Sequence, residues 1–145
     1  MPHPIPYLSF DGNCADAMRF YERALGGKLE AVITNRQTPY AAQTPEAQLD
    51  RVMHAYLALP DGGSLYAGDS MSDERYAGMQ GVMIALTYDT VADAERVFAA
   101  LSEGGKVTMP LGPTFWAKTF GMLVDRFGTP WGINGESIQQ PGAGH

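Results

Sequence analysis

A single cysteine, Cys14, in 145 residues excludes an internal disulfide framework. No apolar run reaches the roughly 18 residues that a membrane-spanning helix needs. The opening Met1-Pro2-His3-Pro4-Ile5 lacks the charged-then-apolar plan of a secretory leader. Ten Lys and Arg stand against sixteen Asp and Glu, a net charge of −6, and no basic cluster occurs. The footprint that neutralises phosphates is therefore missing. These absences predict a cytoplasmic protein with neither nucleic acid nor membrane as a partner.

What the sequence does contain is a repeat. Leu8-Ser9-Phe10-Asp11 answers to Leu86-Thr87-Tyr88-Asp89 at an offset of 78 residues. Ala15-Asp16-Ala17-Met18-Arg19-Phe20-Tyr21 answers to Ala92-Asp93-Ala94-Glu95-Arg96-Val97-Phe98 at an offset of 77, and Gly26-Gly27-Lys28-Leu29 to Gly104-Gly105-Lys106-Val107 at 78 again. Self-similarity on this scale makes half the chain the unit of architecture. A chain this long is one domain's worth and hides roughly 70% of its unfolded surface. The repeat, about residues 4–69 and 82–136, is thus read as two halves of a single domain.

Ile5 to Phe10 is short, apolar and followed by Asp11-Gly12, which predicts a strand and a turn. Asn13 with Asp16, and Thr90 with Asp93, mark two helix starts, each with a capping acceptor and an acid in the first turn. Ala17, Phe20, Tyr21, Ala24 and Leu25 form one apolar stripe, and Ala94, Val97, Phe98 and Leu101 another. The glycine pairs 26–27 and 104–105 suit left-handed helix ends, and strands are predicted from Lys28 to Thr34 and from Lys106 to Met109.

Residues 36–51 are polar, contain Pro39 and Pro45 and have no sustained period, which predicts a long mobile loop of the kind that covers a site. Val52 to Leu59 and Ser64 to Gly68 form a hairpin about Pro60-Asp61-Gly62-Gly63. Residues 69–81 read as a linker in which Asp69, Asp73 and Glu74 are solvated. Val82 to Tyr88, Phe115 to Val124 and Pro130 to Gly135 are the strands of the second half, with a turn at residues 126–129, and the chain from Ile138 onward reads as a loose tail. Each half is β-α-β-β-β.

With that order established, Tyr7-Leu8-Ser9-Phe10-Asp11-Gly12-Asn13, Phe20-Tyr21 with Leu25-Gly26-Gly27, Leu101 with Gly104-Gly105, and Thr114-Phe115-Trp116 leading to Phe120-Gly121, Asp125, Phe127-Gly128 and Trp131 resemble the vicinal oxygen chelate superfamily. That superfamily includes glyoxalase I, extradiol dioxygenases and bleomycin-resistance proteins, and the PhnB-like group is the nearest likeness. The resemblance implies an α+β fold in which two βαβββ modules form a curved, mixed and mostly antiparallel sheet around a cavity, commonly in a homodimer. In metal-dependent relatives, four His or Glu side chains hold a divalent ion.

Laid on the glyoxalase I pattern, the ligand positions fall near Ile5, Tyr66, Met83 and Gly132. None of these is His, Asp, Glu or Cys, and a thioether or phenol is a poor donor for a divalent transition ion. Within a slip of a residue or two, Ser9, His54, Asp69, Asn134 and Glu136 are the substitutes. No cofactor and no metal ligand is therefore predicted.

Strand alternation places His54 and Tyr56 on one face with Val52 and Ala58, and Met53, Ala55, Leu57 and Leu59 on the helix-facing side. His54 then serves either as an acid, base or hydrogen-bond partner in the cavity or as a satisfied structural histidine. Tyr7 and Ser9 share the cavity face, opposite Leu8 and Phe10. Ser9 has no nucleophile elbow about it. Met83, Phe115 and Trp116 supply apolar and aromatic walls, with Trp131 more typical of packing. Cys14 at a helix start is either a stabilised thiolate or a small core residue, and Asp125-Arg126-Phe127-Gly128 reads as turn chemistry.

Two functions follow from the resemblance. One is metal-free binding that sequesters an aromatic or cationic compound, with the negative surface favouring a cation. The other is a metal-dependent lyase, isomerase or dioxygenase. Some PhnB-like proteins carry a demethylubiquinone methyltransferase label, but no glycine-rich loop follows the first strand here to hold a nucleotide-type cofactor.

Overall fold

The computed structural model describes residues 2–70 and 76–138 and divides into two compact units, Met1–Gly78 and Met79–His145. The first unit holds β1 (Tyr7–Phe10), α1 (Cys14–Leu25), β2 (Lys28–Thr34), β3 (Val52–Ala58) and β4 (Ser64–Asp69). The second holds β5 (Ile84–Tyr88), α2 (Val91–Ser102), β6 (Lys106–Gly112), β7 (Ala117–Val124) and β8 (Pro130–Ser137). The sheet orders are β1-β4-β3-β2 and β5-β8-β7-β6. In each, the first strand runs parallel to the last and the other pairs are antiparallel. The repeat in sequence is a repeat in topology: two mixed four-stranded sheets, neither closed, each with its helix.

Each helix buries its apolar stripe against its own sheet. From α1 these are Ala17, Met18, Phe20, Tyr21, Ala24 and Leu25, which meet a sheet face carrying Leu8, Phe10, Ala55, Leu57, Leu65 and Ala67. From α2 they are Ala94, Val97, Phe98 and Leu101, over Leu123, Trp131 and Ile133. Full burial of one large side chain of this kind is worth roughly 1.5–3 kcal/mol. The opposite face of each sheet carries the polar and aromatic positions of the same strands.

The helix starts differ from expectation in one half. Thr90 caps α2, accepting from the Asp93 N–H at 3.1 Å, whereas Asn13 makes no side-chain cap. Asp69 does that work for α1. Far from being a solvated linker residue, it ends β4 in the core and accepts backbone N–H bonds from Gly12 (2.8 Å), Cys14 (3.0 Å) and Val52 (2.8 Å). Glu136 from β8 takes the matching role in the second unit, accepting from Val91 N–H at 2.9 Å. A carboxylate at a helix N-terminus satisfies orphan donors and meets the positive end of the dipole. Asp73, Glu74 and the tail beyond residue 138 lie outside the described residues.

Residues 35–51 are not an aperiodic loop. They form three short 3-10 turns, Asn35–Gln37, Ala41–Gln43 and Glu46–Gln48. Their base is closed by Asn35 N–H to Arg51 O (3.0 Å), Arg36 N–H to Leu49 O (2.8 Å) and Asn35 Nδ2 to Gln48 O (2.8 Å). Each turn is too short to show a period. Strand β1 starts at Tyr7 rather than Ile5, because Pro6 has no N–H to donate and offers only its carbonyl, to Tyr66 N–H at 3.0 Å.

Candidate functional site

The open face of the first sheet is built by β1, β3 and β4. Tyr7 pairs with Tyr66 in the parallel register, and Tyr56 pairs with Tyr66 in the antiparallel one, so three phenols share one face by strand geometry alone. His54 joins them. Tyr66 is the hub: its ring centroid lies 5.0 Å from that of His54, 5.4 Å from Tyr56 and 6.3 Å from Tyr7, each edge to face. Tyr7 and His54 rings are tilted at 5.9 Å. Edge-to-face pairs at these distances are mutually attractive.

The Tyr7 hydroxyl donates to Met53 O at 3.2 Å and lies 3.5 Å from His54 Nδ1. A side chain at Gly68 would bring its Cβ to 3.1 Å from that hydroxyl and 3.0 Å from Met53 O, so the glycine makes room for Tyr7 to lie across β4. Burial, followed by the neighbouring Cys14, pushes the Tyr7 phenol above its ordinary value and keeps it a neutral donor.

One alternation departs from the sequence reading. Ile33 pairs with His54 but Thr34 pairs with Val52, so Met53 is bulged out of the ladder. Val52 consequently turns into the core and Met53 is exposed, the reverse of simple alternation, while Ala55 and Leu57 keep the helix-facing side. Ser9 lies on the open face, where its carbonyl accepts from the Tyr76 hydroxyl at 2.6 Å. Among the described residues no histidine or carboxylate hydrogen-bonds its side chain. Cys14 is buried, and desolvation, with Asp69 adding to it, pushes its thiol up to about 12. The packing reading of Cys14 prevails over the thiolate one.

The open face of the second sheet has different chemistry. Asn134 stands on the central strand β8, paired with Thr87 of β5 and Phe120 of β7. The Trp116 indole N–H donates to Asn134 Oδ1 at 2.8 Å. Trp116 contacts Phe115 and Phe120 edge to face at 4.9 and 5.2 Å. Phe115 and Trp116 do not begin β7; they sit in a turn ahead of it, held by Thr114 Oγ1, which accepts from the N–H groups of Trp116 and Ala117. Met83 precedes β5 and covers Gly132, where an added Cβ would come 2.7 Å from Met83 Cε. Phe115, Trp116 and Met83 all remain substantially exposed.

Trp131 is wholly buried, donating from Nε1 to Asp125 Oδ2 at 2.8 Å, while Asp125 Oδ1 accepts from Phe127 and Thr129 N–H. Both are structural, as the turn reading expects. Sequence reasoning did not single out Tyr66, Phe120 or Asn134 as wall residues. The signal was available: extending strand alternation into β4 and β8 puts Tyr66 beside Tyr7 and Asn134 beside Phe120.

Four donors converging on one point would be needed for a divalent ion. Among the described residues no three His, Cys, Asp or Glu side chains are grouped to hold one. The substitutes are engaged elsewhere: Asp69 with three backbone N–H groups, Glu136 with Val91 N–H and with Lys118 Nζ at 2.9 Å, Asn134 with Trp116, and His54 among tyrosines. The residues present do not fit a metal centre of the glyoxalase I type.

Comparison with known proteins agrees with the topology. The family model for the Glyoxalase/Bleomycin resistance protein/Dioxygenase superfamily matches residues 5–134. Protein YjdN of Escherichia coli (strain K12) is 35% identical over 137 residues, 89% of this chain and 92% of that protein. The crystal structure of protein PA1353 from Pseudomonas aeruginosa is 45% identical and superposes with a TM-score of 0.85, covering 94% of this chain and 98% of that one. A PhnB protein from Bacillus cereus, described as a putative 3-demethylubiquinone-9 3-methyltransferase, shares 23% identity at a TM-score of 0.74, with 92% and 99% covered, a likeness of fold.

Proposed function

Because this chain belongs to the Glyoxalase/Bleomycin resistance protein/Dioxygenase superfamily, we propose that it is a PhnB-like, small-molecule-binding member that holds an aromatic or cationic compound against aromatic walls without a metal. The observation that carries this reading is the Tyr66 cluster. One of the positions at which the resemblance expects an ion ligand is the hub of four packed rings. Phenol and imidazole rings offer π faces and hydroxyls to a guest; a cation over such a ring gains roughly 0.5–2 kcal/mol. The chain's charge of −6 adds long-range attraction for a cation. His54, Tyr56, Tyr7 and Ser9 belong to this wall, and Met83, Phe115 and Trp116 to the one on the second sheet. A homodimer, with light scattering giving twice the 15.7 kDa chain mass, is part of the same proposal.

The test is thermal unfolding with 9-aminoacridine, a planar cation, at rising concentration. A ligand at a hundred times its Kd stabilises the folded state by about 2.7 kcal/mol, so the melting temperature climbs with concentration. Tyr66→Ala should raise the Kd about tenfold, which cuts the stabilisation at the same concentration to about 1.4 kcal/mol. No stabilisation by this or other aromatic cations, together with metal-dependent turnover of a hemithioacetal or a catechol, would overturn the proposal in favour of the enzyme.

A further inference from the structure

Asparagine is disfavoured in the middle of a sheet, yet Asn134 stands on the central strand β8, flanked by β5 and β7. Its amide is oriented. The indole N–H of Trp116 can only donate, so the atom it meets at 2.8 Å must be Oδ1, and this fixes which way the amide points. The Nδ2 group is left with both its protons. Among the described residues, Trp116 is the only hydrogen-bond partner of the Asn134 side chain.

On one side of that donor stands the exposed Thr87 of β5, and on the other lie apolar and aromatic side chains. Phe120 lies beside it across the ladder, Trp116 meets Phe120 edge to face at 5.2 Å, and Met83 Sδ and Cε fill the space over Gly132, two residues away on the same face. Trp116 is about one-third exposed (37%) and Met83 42%, so this floor is reachable from solvent. Glu136, two residues further along the strand, has its carboxylate tied to Lys118 and to Val91 N–H.

We infer that Asn134 is a specificity-determining residue whose Nδ2 donates to an acceptor oxygen on a planar aromatic ligand lying against Trp116, Phe120 and Met83. This rests on the aromatic-binding reading above and narrows it to compounds with a carbonyl-type acceptor on the ring. Trp116 has two tasks: it stacks, and its N–H holds the amide so that the donor side faces out. A neutral carbonyl suits a chain of charge −6 better than a carboxylate would.

A shape-matched probe pair isolates the acceptor: 2-acetylnaphthalene has the carbonyl and 2-isopropenylnaphthalene replaces its oxygen with CH2. Binding is followed by tryptophan fluorescence, which reports on exposed Trp116 because Trp131 is buried and bonded to Asp125. The ketone should bind about tenfold more tightly to the native protein, the size of one hydrogen bond made by an otherwise unpaired donor. Asn134→Asp keeps an oxygen for Trp116 but has no N–H, and should bring the two probes to equal affinity. Should that variant not fold, the Asn134 side-chain NH2 signals in a 15N spectrum of the native protein should move with the ketone and not with the alkene. Equal binding of both probes by the native protein, a preference retained by Asn134→Asp, or unmoved NH2 signals would overturn the assignment of Asn134 while leaving aromatic binding standing. Failure of both naphthalenes to bind would overturn this inference, while the aromatic-cation reading stands or falls by the 9-aminoacridine titration.

Discussion

At the scale of single residues, most of the buried ionisable chemistry serves the fold. Asp69 satisfies three backbone N–H groups from the turn after β1, the start of α1 and the start of β3. Removing a charged acceptor from buried donors costs more than its net bond energy, because those donors stay dry and unpaired. Asp69→Ala should therefore lose about 3 kcal/mol of stability in urea unfolding, and Asp69→Asn, which keeps one carbonyl oxygen, distinctly less. Glu136 gives a pH-dependent counterpart. Lys118, then the Val91 N–H, hold its carboxyl below the usual range, so its stabilisation is complete above the unfolded value and disappears as pH falls through the lower folded value. Glu136→Gln should thus be less stable than the native protein at neutral pH and converge with it below about pH 4.3, as read by urea midpoints across pH. Cys14, its thiol pushed up to about 12, should resist iodoacetamide at neutral pH in the folded protein and react once unfolded, by mass spectrometry.

At the scale of elements, the glycine pair that ends each helix divides its work. The first member takes a left-handed backbone, Gly26 at φ 76° and Gly104 at φ 74°. The second has no space for a side chain: a Cβ at Gly27 would collide with Ala58 O, and one at Gly105 with Val124 O and Asp125 Cα. Backbone cannot step aside as a side chain can. Gly27→Ala and Gly105→Ala should each cost about 2 kcal/mol, while Gly112→Ala, with nothing within 4 Å of the new Cβ, should stay within about 0.5 kcal/mol in the same unfolding assay. The left-handed role was legible in the sequence because Gly is the usual residue there. The steric role was not, since it depends on a carbonyl more than 15 residues away along the chain. The β3 bulge escaped for a similar reason: Met53 and Val52 exchange sides through pairing with β2, which local alternation does not encode.

At the scale of the whole molecule, the repeat carried the fold. Two helices with matching stripes and matching glycine pairs fix two modules, and the identical sheet orders follow. The candidate walls were legible in part: Tyr7, His54 and Tyr56 emerged from alternation on β1 and β3, while Tyr66 and Asn134 came forward only when β4 and β8 were paired with their neighbours. The carboxylates at the ends of β4 and β8 look in sequence like candidate ligands or linker charges, and only the fold reveals them as caps of α1 and α2. The proposed function gives these strand faces to aromatic rings that hold a guest directly, with no ion between. Elemental analysis of protein purified from cells grown with added zinc, nickel, manganese and iron decides between the two readings. Metal-free binding requires transition metal far below one equivalent per chain, unchanged in His54→Ala and Glu136→Ala; a full equivalent in the native protein that either substitution removes would refute it.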